Sequence, residues 1–151
     1  MKTLASALVT GTLLLCACHT PPTPESRLAE NQVEVTLPVL ADMVAEADKS
    51  GELVRFVDLR SPEIERLQKL CGPRFQIHPV SESDPSTGTL RLKSSGHEGV
   101  HLEVKVTRVR GRHAEVSGAY VHADSFASFR YILRYTDGAW RISSCESYAA
   151  S

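Results

Sequence analysis

The stretch FRYILRYTDGAWRI, residues 129–142, decides the fold. Phe129, Tyr131, Leu133 and Tyr135 recur at every second position, the period of a strand with one apolar face. Asp137-Gly138 supplies the two residues of a tight hairpin turn, where both central residues take positive φ. Trp140 and Ile142 continue the alternation on the return strand. Arg130, Arg134 and Arg141 fall on the face opposite Tyr131 and Tyr135, near one another across the hairpin. These three arginines form a candidate binding surface for an acidic partner.

Moving toward the N-terminus, the same period persists. Ala114, Val116, Gly118 and Tyr120 alternate, and Gly111 turns the chain before them. Val100, Leu102, Val104 and Val106 alternate ahead of that turn. The phase slips at Val109, which predicts a bulge. Leu90 and Leu92, and the run Arg74 to His78, read as further short strands, with a loop over Pro79 to Thr87 between them. Before residue 72 the period is 3.6. Ser61-Pro62-Glu63 opens a helix with a capping hydroxyl, a proline at the first position and an acid in the positive first turn. Ile64, Leu67, Leu70 and Cys71 share its apolar face, and Gly72-Pro73 ends it. Val39, Leu40, Met43, Val44 and Ala47 predict an earlier helix over Pro38 to Lys49, with Pro38 at its start and Ser50-Gly51 as its stop. Leu53 to Leu59 reads either as a buried strand or as further helical turns. Helices followed by an antiparallel meander define an α+β domain: N-terminal helices packed on a curved antiparallel sheet of about four to six strands.

The first 35 residues read differently. Met1-Lys2 is a short basic start, and Leu4 to Leu15 is an apolar run of about a dozen residues, too short to span a bilayer at roughly 20 residues. Leu15-Cys16-Ala17-Cys18 resembles the bacterial lipobox. The resemblance implies cleavage after Ala17, acylation of Cys18, and residence in the cell envelope. His19, rather than an acid, follows the cysteine, which by the same resemblance favours the outer membrane facing the periplasm. Residues 1–17 are then a signal peptide, 18–35 the lipidated cysteine with a tether containing Pro21, Pro22 and Pro24, and 36–151 the α+β domain. Two acyl chains or more make a stable anchor where one does not.

The 151 residues hold 17 Lys plus Arg against 18 Asp plus Glu, a balance that sets aside a dedicated nucleic-acid binder. The charges are sorted along the chain. From Glu25 to Glu65 there are ten acids and four bases, and from Arg66 to Arg141 twelve bases and seven acids. An exported domain meets an oxidising compartment, so Cys71 and Cys145 are expected to pair as a disulfide. Neither CxxC nor HExxH spacing occurs, and no metal or other cofactor is expected. Tyr120, Tyr131, Tyr135 and Trp140 are candidates for an aromatic pocket, the alternative to their forming the core.

Arg134 to Ile142 is also similar to the closing hairpin of the nuclear-transport-factor-2-like superfamily, in which an aromatic strand, a DG turn and a W-R-I strand are frequent. That resemblance implies a cone-shaped α+β fold; a cystatin-like helix on a curved sheet is the architectural alternative. The superfamily contains both enzymes and binding domains. No catalytic motif accompanies the hairpin here. The sequence therefore points to a non-catalytic binding domain on a lipid anchor, an inhibitor or immunity-type binder of another protein. A small cone-fold enzyme using His122/Asp124 or Glu103/Glu115, a small-ligand binder, and an assembly lipoprotein of an envelope complex are the alternatives.

Overall fold

The computed structural model describes residues 24–47, 52–85, 88–123 and 125–150; the signal peptide, Cys18 and Asp124 lie outside them. Two helices pack on a mixed sheet of six strands. In chain order the elements are α1 (Pro24–Ala47), β1 (Val54–Val57), α2 (Ser61–Cys71), β2 (Ile77–Pro79), β3 (Ser83–Asp84), β4 (Arg91–Leu92), β5 (Gly99–Arg110), β6 (His113–His122), β7 (Ser125–Thr136) and β8 (Ala139–Ala150). The large sheet has the order β2-β1-β5-β6-β7-β8, while β3 and β4 form a separate short ladder.

Three features depart from the sequence reading. The sheet is not wholly antiparallel: β1 runs parallel to both β2 and β5. Its four residues are all buried, which explains why Leu53 to Leu59 shows no clean period. A strand thus separates the two helices. Second, α1 begins at Pro24 rather than at Pro38, which lies inside the helix. Pro38 has no N–H to give the Glu34 carbonyl, normally a strong reason to end a helix. Burial of Val35 and Leu37 on one side of it, and of Val39, Leu40, Met43 and Val44 on the other, outweighs that loss. Third, Ser61 does not cap α2. Arg60 holds the cap position, and its guanidinium pairs with Glu63 in the first turn.

The meander follows the predicted alternation. The β5–β6 register shifts between Val106 and Arg108, leaving Thr107 as the bulge, so Val109 regains the helix-facing side opposite Ala114. Asp137 (φ 52°) and Gly138 (φ 78°) make the hairpin turn that the DG pair predicts. The core lies between the helices and the sheet, where Val116, Tyr131 and Leu133 meet the apolar side of α1.

Gly118 sets how closely α1 approaches. A Cβ there would lie 2.7 Å from Met43 Sδ and 3.1 Å from Tyr131 Cε2. Beside it, the Tyr131 hydroxyl donates to Asp42 Oδ2 at 3.1 Å, tying α1 to β7. Burial, with the Asp42 carboxylate next to it, raises the phenol well above the usual tyrosine range. It therefore remains a donor at any ordinary pH.

Two outcomes follow from these contacts. Gly118→Val overpacks the α1 seat and is expected to lower unfolding free energy by about 1–3 kcal/mol in denaturant titration, with Ser117→Val on the other face close to neutral. The hydrogen bond from Arg60 holds the Glu63 carboxyl below the usual carboxylate range. Its contribution is therefore complete above that range and is lost as pH falls through the lowered value. Glu63→Gln is expected to flatten the acid limb of a stability–pH curve, and an unchanged limb would contradict the pairing.

Candidate functional site

Alternation gives the sheet a second face, turned away from the helices, and the strand registers order its side chains into rows. One row holds Lys105, Ser117, Arg130 and Glu146; the next holds Glu103, Ala119 and Ser128. Small residues therefore occupy β6, and long polar ones flank it on β5 and β7. The result is an open trough of about 780 Å3. Ser117, Gly118 and Ala119 of β6 and Ser128 of β7 form its floor. His101, Glu103 and Lys105 of β5 make one wall, Arg130 and Tyr148 the other, and Asp58 sits at the rim.

The walls carry both signs of charge, and much of it is already engaged. Arg130 Nε lies 2.6 Å from Glu115 Oε1, and Arg130 Nη1 donates to the Tyr148 hydroxyl at 3.5 Å. Tyr148 and then Glu115 hold the Arg130 proton more firmly than usual. Tyr148 in turn donates to Glu146 Oε2 at 3.3 Å. On the opposite wall His101 Nδ1 lies 3.3 Å from Glu103 Oε1. The other ring nitrogen, Nε2, is sealed from solvent and has no hydrogen-bond partner among the described residues.

Several expected groupings are rearranged. Glu103 and Glu115 both line the trough but do not face each other: Glu103 stands opposite Ala119 and Glu115 opposite Arg108. His122 ends β6, and its proposed partner Asp124 lies outside the described residues. The four aromatic residues do not line one pocket. Tyr131 is buried in the core. Tyr120 packs on Phe129 with ring centroids 5.5 Å apart. Tyr135 and Trp140 make an edge-to-face pair at 5.4 Å and line a different cleft of about 500 Å3 with Glu34, Leu37, Pro38, Arg66 and Leu70. The three arginines separate as well. Arg134 stands directly opposite Arg141, while Arg130, four residues away on β7, stands opposite Glu146 and pairs with Glu115 in the trough wall.

Cys71 and Cys145 are free thiols, so the expected bridge is not formed in this structure. Each has its own surroundings. Cys71 closes α2 near Arg55, and burial pushes its thiol up to about 11 despite that cation. Cys145 stands opposite Tyr131 on β8. Partial burial raises its thiol too, partly offset by a hydrogen bond with Tyr131. No group of three or more potential metal ligands occurs among the described residues.

His101 and the trough floor were within reach of the sequence. His101 and Glu103 are two apart on one strand, hence on one face. Ser117 and Ala119 share the corresponding face of β6. What the sequence does not supply is the register that sets these strands side by side.

No family model matches the chain, and no curated protein matches it. Among solved structures it is similar to a crystal structure of an NTF2-like protein of unknown function from Shewanella baltica OS155, at 10% identity and a TM-score of 0.35. That match covers 81% of this chain and 96% of the other.

The thiol surroundings give a direct test. At neutral pH an alkylating reagent is expected to modify exposed Cys145 well before Cys71. Labelling of Cys71 should climb about tenfold per pH unit toward 11, because the thiolate is the nucleophile. Mass spectrometry of labelled peptides reads both rates. Failure of both to label until reductant is added would instead establish the bridge.

Proposed function

We propose that this chain is a lipid-anchored envelope protein whose domain binds a segment of another protein, without catalysis, in the trough on the outer sheet face. The observation that carries the reading is the shape and lining of that trough. A floor of Ser117, Gly118, Ala119 and Ser128 lets a ligand lie close to the sheet. The β5 wall from His101 to Lys105 runs about 13 Å at roughly 3.3 Å per residue, the length of a few extended residues. Walls bearing Glu103, Lys105, Glu115 and Arg130 offer both donors and acceptors, which suits peptide groups better than a ligand of one charge.

Two observations support binding over acid–base chemistry. Glu103 and Glu115 both line the trough, but each is matched with a basic side chain and not with the other. The free nitrogen of His101 is sealed away from the trough solvent. An inhibitor or immunity-type role is the concrete form of the proposal, with Cys18 as the lipidated residue and the outer membrane, facing the periplasm, as its place.

The test is to fill the floor. Full-length protein carrying Ser117→Trp or Ser128→Arg is expected to lose at least about tenfold in affinity for a partner recovered from solubilised envelope. Arg134→Glu, outside the trough, should retain that affinity. Equal binding by the filled variants would overturn the site, and saturable binding of a small polar molecule alone would redirect it to a small-ligand function.

A further inference from the structure

The registers also assemble a row that the trough does not use. Arg110 stands opposite His113, His113 opposite Arg134, and Arg134 opposite Arg141, so four basic side chains cross four strands side by side. All four residues are exposed. No described carboxylate forms an ion pair with Arg110, Arg134 or Arg141. Directly opposed arginines repel, and the carboxylate that shares a cleft with the row, Glu115, is itself paired with Arg130. An anion lying over the row would offset that repulsion.

Its place in the molecule says which anion. The row lies at the end of the sheet formed by the turns Gly111–Arg112 and Asp137–Gly138. The direction of α1 is set by its contacts. Asp42 reaches Tyr131 in mid-strand, whereas Glu34, Leu37 and Pro38 share a cleft with Tyr135, Gly138 and Trp140 at the turn. The start of α1 therefore points to the same end as the row. From Glu34 back to Pro24 the helix runs about 15 Å at 1.5 Å per residue. Cys18 precedes Pro24 by only six residues. On the helix side of this end, Tyr135, Trp140 and Leu70, the last 62% exposed, line the open cleft. Tyrosine and tryptophan favour the headgroup level of a bilayer, and basic side chains favour its anionic lipids. The acids near this end are Glu115, which lines a cleft with Arg110 and His113 but is held by Arg130 at 2.6 Å, Glu34, held by Arg66 at 2.6 Å, Asp137 in the turn, and Glu25 and Glu30 on α1 ahead of Glu34.

We propose that this end of the domain docks on the phosphate-bearing headgroups of an anionic bilayer, with Arg110, His113, Arg134 and Arg141 over the headgroups and Trp140 at their level. The proposal rests on the lipid-anchor reading for the membrane's proximity, but the contact is the domain's own. Docking fixes the anchored domain with its turn end down and leaves the trough open to the side.

Trp140 is the single tryptophan of the chain, so its fluorescence reports the contact directly. The mature chain with Cys18→Ser is mixed with vesicles of phosphatidylcholine alone or with about one-third phosphatidylglycerol. It is expected to float only with the anionic vesicles, with Trp140 emission shifted to the blue and quenched by brominated lipid. Arg134→Glu with Arg141→Glu should reduce the bound fraction about tenfold or more, as should high salt, while Arg130→Ala changes it little. Unchanged melting of the variants keeps a folding defect apart from lost docking. Equal flotation with both vesicle types, or none, overturns the proposal. So does loss of a protein partner on charge reversal with vesicle binding unchanged. The acylated chain tests the anchor separately. If it floats with neutral vesicles while Trp140 ignores anionic lipid, the anchor stands and docking fails. If it floats only as the Cys18→Ser chain does, docking stands and the anchor fails.

Discussion

The seat of α1 on the sheet at Gly118 is the constraint on which the rest depends. A strand position without a side chain lets Met43 rest against the backbone of β6. The neighbouring Tyr131 hydroxyl then reaches Asp42 and fixes the helix along its length. Dispersion and burial at that contact are close-packed, so the helix cannot slide by a residue without a clash or a gap. The same seat makes the other face of β6 available. With Gly118 taken up by the helix, Ser117 and Ala119 point away from it and form the floor of the trough. It also fixes the direction of α1, and with it the end of the domain where the chain arrives from its N-terminal segment.

The outer face sorts its charges by row. In the trough, two bases are set against acids, Arg130 with Glu115 and His101 with Glu103, while Lys105 has no ion pair among the described residues. At the turn end, bases face bases. The mean charge of the chain is close to zero, yet the surface is divided into a matched region and an unmatched one. Exposed ion pairs add little to stability. Their role here is to leave the trough nearly neutral and polar while the turn end remains cationic, two surfaces suited to different contacts. Arg55 illustrates the opposite case. It is fully buried in β1 and lies over the Phe75 ring at 4.7 Å, a cation kept inside by packing and hydrogen bonding.

Much of the meander was legible because strand periodicity is local. The alternation from Phe129 to Tyr135, the DG turn and the slip near Val109 each depend on adjacent residues, and each appears where the pattern places it. The second helix was legible for the same reason. The start of α1 was not, because Pro24 to Ser26 carries the signs of an extended tether and Pro38 the sign of a helix start. Tertiary burial of Val35 and Leu37 decides otherwise. Strand β1 was ambiguous because burial on both faces removes the alternation that marks a strand. Of the site, the individual side chains were visible but their company was not. The hairpin sequence places Arg130, Arg134 and Arg141 on one face, whereas Arg110 and His113 join Arg134 and Arg141 only through the pairing of β5 with β6 and of β6 with β7. The grouping of Tyr120, Tyr131, Tyr135 and Trp140 failed because alternation gives a face, not a depth along the strand.

By itself, then, the sequence determined the α+β class, the hairpins, the faces of the strands and the expectation of a lipid anchor at Cys18. These follow from short-range sterics, from the period of two or 3.6, and from a motif confined to a few residues. Only the tertiary structure decided the mixed sheet order, the length of α1, the separation of Arg130 from Arg134 and Arg141, the trough, and the four-base row. Those depend on which strands become neighbours and in what register, a choice made by packing residues far apart in the chain around Gly118, Met43 and Tyr131.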